Sequence, residues 1–324
     1  MAIQIFTGNV IAVLWDFDQT LISGYQEEPI FDYYKIDSEE FWKEVGQLTE
    51  YYQKEGIIVS PDTIYLNHIL TYVKKGIFKD LNNKLLRTFG EILEFYKGLP
   101  DFFIDSKEII EKNSEFSKHD ISVEHYIVST GLRQIIKGSR IAKFTTDIWA
   151  CEFIEDPAQP GFCETSPASK DRVAGQTEPG ITQVGYFLDN TTKTRALWEI
   201  NKGTNKDPNV GVNDRIAPED RRVPIQNMIY IADGPSDIPV FSIINQYGGR
   251  TLGVYNQAQD SHFNEVKKLS DQGRVQHFSP ADYSKGSDAY RWIIKSMNEI
   301  ASKIVEVRNR ALVDKVGKSS KHVI

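Results

Sequence analysis

Two pairs of aspartates carry the first chemical signal. Asp16-Phe17-Asp18-Gln19-Thr20 directly follows the apolar run Val10-Ile11-Ala12-Val13-Leu14-Trp15. Asp233-Gly234-Pro235-Ser236-Asp237 directly follows the run Met228-Ile229-Tyr230-Ile231-Ala232. Carboxylates at i and i+2 leaving a strand end point near one crevice, and ligands of open α/β sheets bind at that carboxyl edge. One such pair alone is equally a solvated turn with helix-capping acids. Two pairs, each closing a buried strand, make a cage of hard oxygen donors. Such a cage suits Mg²⁺, which takes a few carboxylates, some waters and the oxygens of a substrate phosphate.

Two further features point to an anion. Ser129-Thr130-Gly131 follows Tyr126-Ile127-Val128. A hydroxyl at a strand end, followed by small residues and backbone N–H groups opening a helix, is a phosphate seat. By itself the triplet is an ordinary cap. Lys193, in Asp189-Asn190-Thr191-Thr192-Lys193-Thr194-Arg195, falls where a helix begins. A cation there opposes the helix dipole and hints at an anionic neighbour, although a lone lysine reads as a surface charge. His68, His119, His125, His262, His277 and His322 show no HxH or HExxH spacing and read as structural or surface. Neither GxGxxG nor GxxxxGK[ST] occurs, so no dinucleotide fingerprint and no P-loop is offered.

The elements that must position these residues follow from the apolar pattern. Val10–Trp15, Tyr126–Val128, Met228–Ala232 and Thr251–Tyr255 are short runs rich in β-branched or aromatic residues, as expected of strands buried on both faces. Helical patterns follow most of them, which predicts a doubly wound, mostly parallel α/β sheet. Between residues 24 and 98 the alternation stops. Phe41, Val45, Leu48 and Tyr52 share one helical face, as do Leu66, Ile69, Leu70 and Val73. A third stripe runs Leu85, Leu86, Phe89, Ile92, Leu93, Tyr96, and Gly98-Leu99-Pro100 is a stop and turn. This segment is therefore a helical insert between the first and second strands. Two polar loops, 155–180 and 203–224, are long enough to be functional or mobile. Residues 286–312 read as a terminal helix, and the tail after Val313 is basic and reads as frayed.

Composition excludes several classes. At 324 residues, 40% hydrophobic and 26% charged, the chain is globular and long enough for two domains or one domain with an insertion. A net charge of −7 argues against a nucleic-acid binder relying on a basic surface, and leaves a local phosphate site open. Cys151 and Cys163 cannot build a disulfide framework or a four-thiolate zinc site. No run of 18 apolar residues predicts a membrane span. The first basic residue is Lys35, so no secretory signal is read at the N-terminus, and a cytoplasmic location is expected.

The order and spacing of Asp16-Phe17-Asp18-Gln19-Thr20-Leu21, Ser129, Lys193 and Asp233-Gly234-Pro235-Ser236-Asp237 resemble the haloacid dehalogenase superfamily of phosphohydrolases. The resemblance covers residues 10–23 and about 100–280; Ala232 stands where the family commonly has glycine. The insert stands where the phosphoserine phosphatase-like branch carries a cap. The resemblance thus implies a Rossmann-like core of residues 1–23 and 99–324 and a helical cap of residues 24–98. It implies a phosphatase with Asp16 as nucleophile, forming an aspartyl phosphate, and Asp18 as general acid and then base. Thr20 supports the loop, and Ser129, Thr130 and Lys193 bind phosphate. Asp16, Asp18 through its main-chain carbonyl, Asp233 and Asp237 would hold Mg²⁺. A small phosphorylated substrate is expected, with neither nucleic acid nor membrane as partner; the oligomeric state is open. A phosphotransferase or mutase using the same intermediate, and a non-enzymatic phospho-acceptor or binding protein, are the alternatives.

Overall fold

The structure, a computed structural model, describes residues 8–163 and 180–316. Most of the 155–180 loop, the residues before Gly8 and those after Val316, His322 among them, lie outside the described residues.

Among the described residues seven strands form one sheet: β1 (Val10–Trp15), β2 (Ser122–Leu132), β3 (Asp147–Ile154), β4 (Gln183–Tyr186), β5 (Met228–Ala232), β6 (Arg250–Tyr255) and β7 (His277–Pro280). Their order is β4-β3-β2-β1-β5-β6-β7. Every neighbouring pair is parallel except β3 with β4. The fold is thus the doubly wound, mostly parallel α/β sheet that the strand–helix alternation predicts. Every residue of β1 is buried. Val10, Ala12 and Leu14 enter one core and Ile11, Val13 and Trp15 the other. A strand covered on both faces needs apolar side chains at each position, hence its unbroken run. After β1 the chain builds outward through β2, β3 and β4, then crosses back to place β5 on the other side of β1. The carboxyl ends of β1 and β5 therefore flank the switch point of the sheet.

Helices cover both faces. Between β1 and β2 lie α1 (Glu28–Tyr34), α2 (Ser38–Lys54), α3 (Ile64–Lys74), α4 (Asn83–Glu91) and α5 (Asp101–Glu111); α6 (Arg133–Gly138) follows β2. Then come α7 (Lys193–Lys202), α8 (Ile238–Gln246), α9 (Asp260–Asp271) and α10 (Asp288–Val316). Phe31, Phe41, Leu66 and Leu86 of the inserted helices share a core with α7, α8 and the Leu14 face of β1. Helices α5 and α10 cover the Trp15 face with Phe102, Phe103, Ile293 and Met297. Asp37 caps α2, accepting from Glu39 N and Glu40 N, and Asn82 caps α4, accepting from Leu85 N. α4 crosses α6 where Gly138 allows contact: a Cβ there would fall 1.9 Å from Arg87 O.

Where the structure departs from the sequence reading, the causes are local. α4 ends at Glu91, so Ile92, 66% exposed, lies past the third stripe's helix. Leu93 and Tyr96 continue the apolar spacing because they pack on the second core from a turn. There the chain doubles back: Phe95 bridges Ile22 in antiparallel fashion, and Tyr96 N donates to Leu21 O at 3.0 Å. The two ends of the inserted segment thus run side by side. α10 continues to Val316, beyond the expected end. The 203–224 loop is tied to α7: Lys202 Nζ donates to Val212 O and Asp214 O, and Val223 N to Asn201 O. Both cysteines are free. Among the described residues no helix is long and apolar enough to cross a membrane.

Candidate active site

Asp16 is the first residue past β1, and its N–H donates to Ile231 O at 2.9 Å, carrying the β1–β5 ladder into the acids. Asp233 is the first residue past β5. Asp237 closes the short turn Pro235–Asp237 that leads into α8. Lys193 opens α7 and lies underneath, 1% exposed. Its ammonium donates to Asp16 Oδ1 at 2.8 Å and to Asp237 Oδ1 at 2.7 Å. The surface-charge reading of this lysine is therefore overturned: two carboxylates receive it inside the protein. Asp237 is fully buried, its Oδ1 also accepting from Tyr230 OH at 2.5 Å and its Oδ2 from Ser236 Oγ at 2.9 Å, which leaves Oδ2 one lone pair.

One carboxylate oxygen each from Asp16, Asp233 and Asp237 lies within 4.8 Å of the others. The Asp18 carboxylate is not among them. Its Oδ1 accepts from Gln26 N at 2.7 Å and its Oδ2 from Gln26 Nε2 at 2.8 Å. Among the described residues the site holds four carboxylates, Asp16, Asp18, Asp233 and Asp237, against the single ammonium of Lys193. Burial, then Asp237 and Asp233, push Asp16 well above the usual carboxylate range, against the pull of Lys193. Burial alone would lower Lys193, but Asp16 and Asp237 outweigh it and keep it protonated. Asp18 is pushed up to about 6, by burial first, with the two Gln26 hydrogen bonds opposing. An excess of buried negative charge of this kind calls for a cation, and three hard oxygens within reach of one another fit a divalent one.

Ser129 and Thr130 sit on the neighbouring strand. β2 shifts register against β3 between Val128 and Leu132, an irregularity of the sort that re-aims side chains beside active sites. Ser129 is buried, its Oγ accepting from Gly131 N at 3.0 Å and lying 3.4 Å from Gln26 Nε2. The carbonyl of Thr130 accepts from Tyr65 OH of α3 at 2.6 Å. Thr20 is buried, with its carbonyl accepting from Tyr283 OH at 2.7 Å and its hydroxyl 3.5 Å from Asp233 Oδ1. A cavity of about 630 Å³ opens above, lined by Asp16, Asp18, Thr130, Lys193 and Asp233. A second cavity of about 520 Å³, lined among others by Gly8 and Pro224, includes none of these acids.

Two residues of this site escape sequence reasoning. Gln26 is fully buried, holds both oxygens of Asp18, and accepts from Leu132 N at 2.8 Å, so it ties the first acid pair to the Ser129 turn. Gly131 makes room for it: a Cβ there would fall 2.0 Å from Gln26 Nε2 and push aside the amide that holds Asp18. No spacing rule points to a glutamine eight residues past an aspartate. His262, read as structural or surface, approaches Asp233 Oδ2 at 3.1 Å through Nε2. Asn256 N donates to its Nδ1 at 3.1 Å. The neutral ring must then carry its proton on Nε2 and donate to Asp233. Its position just past β6, the strand beside β5, was the available signal.

No protein-family model matches the chain. Among solved structures it is similar to a HAD family hydrolase from Salmonella enterica serovar Typhi, with 10% identity, 85% of this chain and 68% of that one covered, and a TM-score of 0.48. It is also similar to a probable phosphoserine phosphatase from Vibrio cholerae, with 13% identity, 93% and 69% covered, and a TM-score of 0.49. Fold-level likeness does not carry function, and the architecture described above stands on its own strand order. In sequence the chain is 40% identical over 294 residues to a Borreliella burgdorferi protein described only as an uncharacterized protein, covering 89% of this chain and 97% of that one. With that identity over nearly the whole of both chains, this protein belongs to the family of the Borreliella burgdorferi protein.

Proposed function

We propose that this protein is a Mg²⁺-dependent phosphatase of the haloacid dehalogenase superfamily, hydrolysing a small phosphomonoester through an aspartyl phosphate on Asp16. The observation that carries the reading is the buried Lys193 ammonium bridging Asp16 and Asp237 beside Asp233, at the switch point of the sheet. A carboxylate approaching a phosphate dianion needs fixed positive charge around it. Lys193 supplies one such charge. The clustered aspartate oxygens fit Mg²⁺, which Asp16, the main-chain carbonyl of Asp18, Asp233 and Asp237 would hold. Bound there, Mg²⁺ would neutralise phosphate charge and polarise the phosphoryl oxygens.

The chain's own residues then account for both half-reactions. An Asp16 oxygen bonds to phosphorus while the ester P–O bond breaks, and the departing alkoxide takes the proton of the Asp18 carboxylic acid. The resulting Asp18 carboxylate removes a proton from water. The water oxygen attacks phosphorus, the Asp16–phosphorus bond breaks, and inorganic phosphate leaves with both aspartates restored. A value of about 6 for Asp18 suits a group that must give and take a proton near neutrality. Ser129, Thr130 and Lys193 are read as the seat of the transferring group. Residues 24–98 are read as the cap and 1–23 with 99–324 as the core, a division supported by the Ile22–Phe95 neck. The exclusion of nucleic acid belongs to the same reading, supported by the net charge of −7, and a cytoplasmic location is part of the proposal.

Release of nitrophenol from p-nitrophenyl phosphate by the purified protein tests this. EDTA should abolish turnover and added Mg²⁺ restore it. Full activity in exhaustively chelated protein, or no turnover in Mg²⁺, contradicts the reading.

A further inference from the structure

We infer that the alcohol released from the substrate is cationic: the site takes a phosphomonoester of an amino or quaternary-ammonium alcohol that carries no second anionic group. This rests on the phosphatase reading and adds the substrate class. Above Asp18 the cavity is walled by Tyr25, Glu27, Trp42, Asp62 and Tyr65 of the inserted segment and by Glu265 of α9. Among the described residues lining the cavity Lys193 is the one lysine or arginine, and it is committed to Asp16 and Asp237. Among these described residues a leaving group bearing a carboxylate or a second phosphate would meet three carboxyl groups and no free cation to pair with. A cation would meet the reverse: Glu27, Asp62 and Glu265 for its charge, and aromatic faces for its alkyl groups. The rings of Trp42 and Tyr65 stand 5.7 Å apart at 46°, forming one corner of the chamber.

Glu27 points independently to a missing partner. It is 4% exposed and lines the cavity, and among the described residues its carboxyl is held by its own backbone N–H and by no other residue. A carboxyl so buried, with no cation beside it, favours a ligand that brings one. Burial pushes it well above the usual carboxylate range, and the nearby Asp18 raises it further. Its nearness to Asp18 places it on the side where the alcohol departs. An ammonium one short alkyl chain from the ester oxygen would supply the absent counter-charge.

The test compares kcat/KM in Mg²⁺ for phosphocholine and phosphoethanolamine with that for glycerol 3-phosphate and phosphoserine, with p-nitrophenyl phosphate as control. The two cationic esters should exceed glycerol 3-phosphate by about tenfold or more, the size of one desolvated cation–π or charge contact. Phosphoserine, which adds a carboxylate, should fall below both. Glu27→Gln should bring the ratio of phosphocholine to glycerol 3-phosphate toward one. Turnover of the aryl phosphate by the unaltered protein with no preference for the cationic esters overturns the substrate class alone. No turnover of the aryl phosphate in Mg²⁺ overturns the phosphatase reading, and the substrate class with it.

Discussion

Asp16 and Asp18 stand two residues apart and are held in opposite ways. Asp16 faces an ammonium and two other acids; Asp18 faces the amide donors of Gln26. The difference gives Asp18 a measurable stability signature. With its carboxyl pushed up to about 6, the folded chain binds this proton more tightly than the unfolded chain, where aspartate titrates near 4. Asp18 therefore favours folding fully below about pH 4, and that contribution is lost as pH rises through about 6. Two pH units at about 1.4 kcal/mol each give at most about 3 kcal/mol. In metal-free protein, Asp18→Asn should thus be more favourable relative to wild type at pH 7.5 than at pH 4 by up to about 3 kcal/mol. Urea unfolding in EDTA at the two pH values measures this, and an equal effect at both would contradict it. The aspartate pairs were legible from residue type and spacing. Gln26 was not, because its role depends on the chain folding back over the Ser129 turn.

At the scale of elements, the site is built from strand ends and helix starts, and α9 contributes one part that no motif announces. His262 donates to Asp233 Oδ2 and is itself fixed by Asn256 N in the loop after β6. A histidine that orients a ligating carboxylate acts on metal affinity, and losing such a partner typically costs about 10–100-fold. His262→Ala should raise the Mg²⁺ concentration for half-maximal thermal stabilisation by about that factor, while His262→Gln, which keeps a donor at the same reach, should recover most of it. Unchanged Mg²⁺ dependence in the alanine variant would reduce His262 to a packing residue. The same scale explains which elements the sequence revealed. β1 and β5 are covered on both faces and read as unbroken apolar runs. β4 and β7 lie at the sheet edges, are only partly buried and carry polar residues, so no run marks them. β3 was missed because it opens on Asp147 and Glu152 breaks its apolar residues after Ile148-Trp149-Ala150-Cys151.

For the whole molecule, strand order is what turns separated motifs into one site. β1 and β5 are neighbours although more than two hundred residues of chain divide them. This juxtaposition was expected from the α/β alternation and is observed; the packing of the inserted helices on the same core as the sheet could not be read from their stripes alone. The central claim concerns the division of labour that this arrangement permits. With p-nitrophenyl phosphate, whose leaving group needs no proton, Asp18→Asn should still allow Asp16 to be phosphorylated, while hydrolysis of the intermediate, lacking its base, becomes slow. The variant should release a burst of about one nitrophenol per active site and accumulate one added phosphate in intact-mass spectrometry after acid quench; Asp16→Asn should show neither. A burst in Asp16→Asn, or steady turnover at the wild-type rate in Asp18→Asn, would contradict the account.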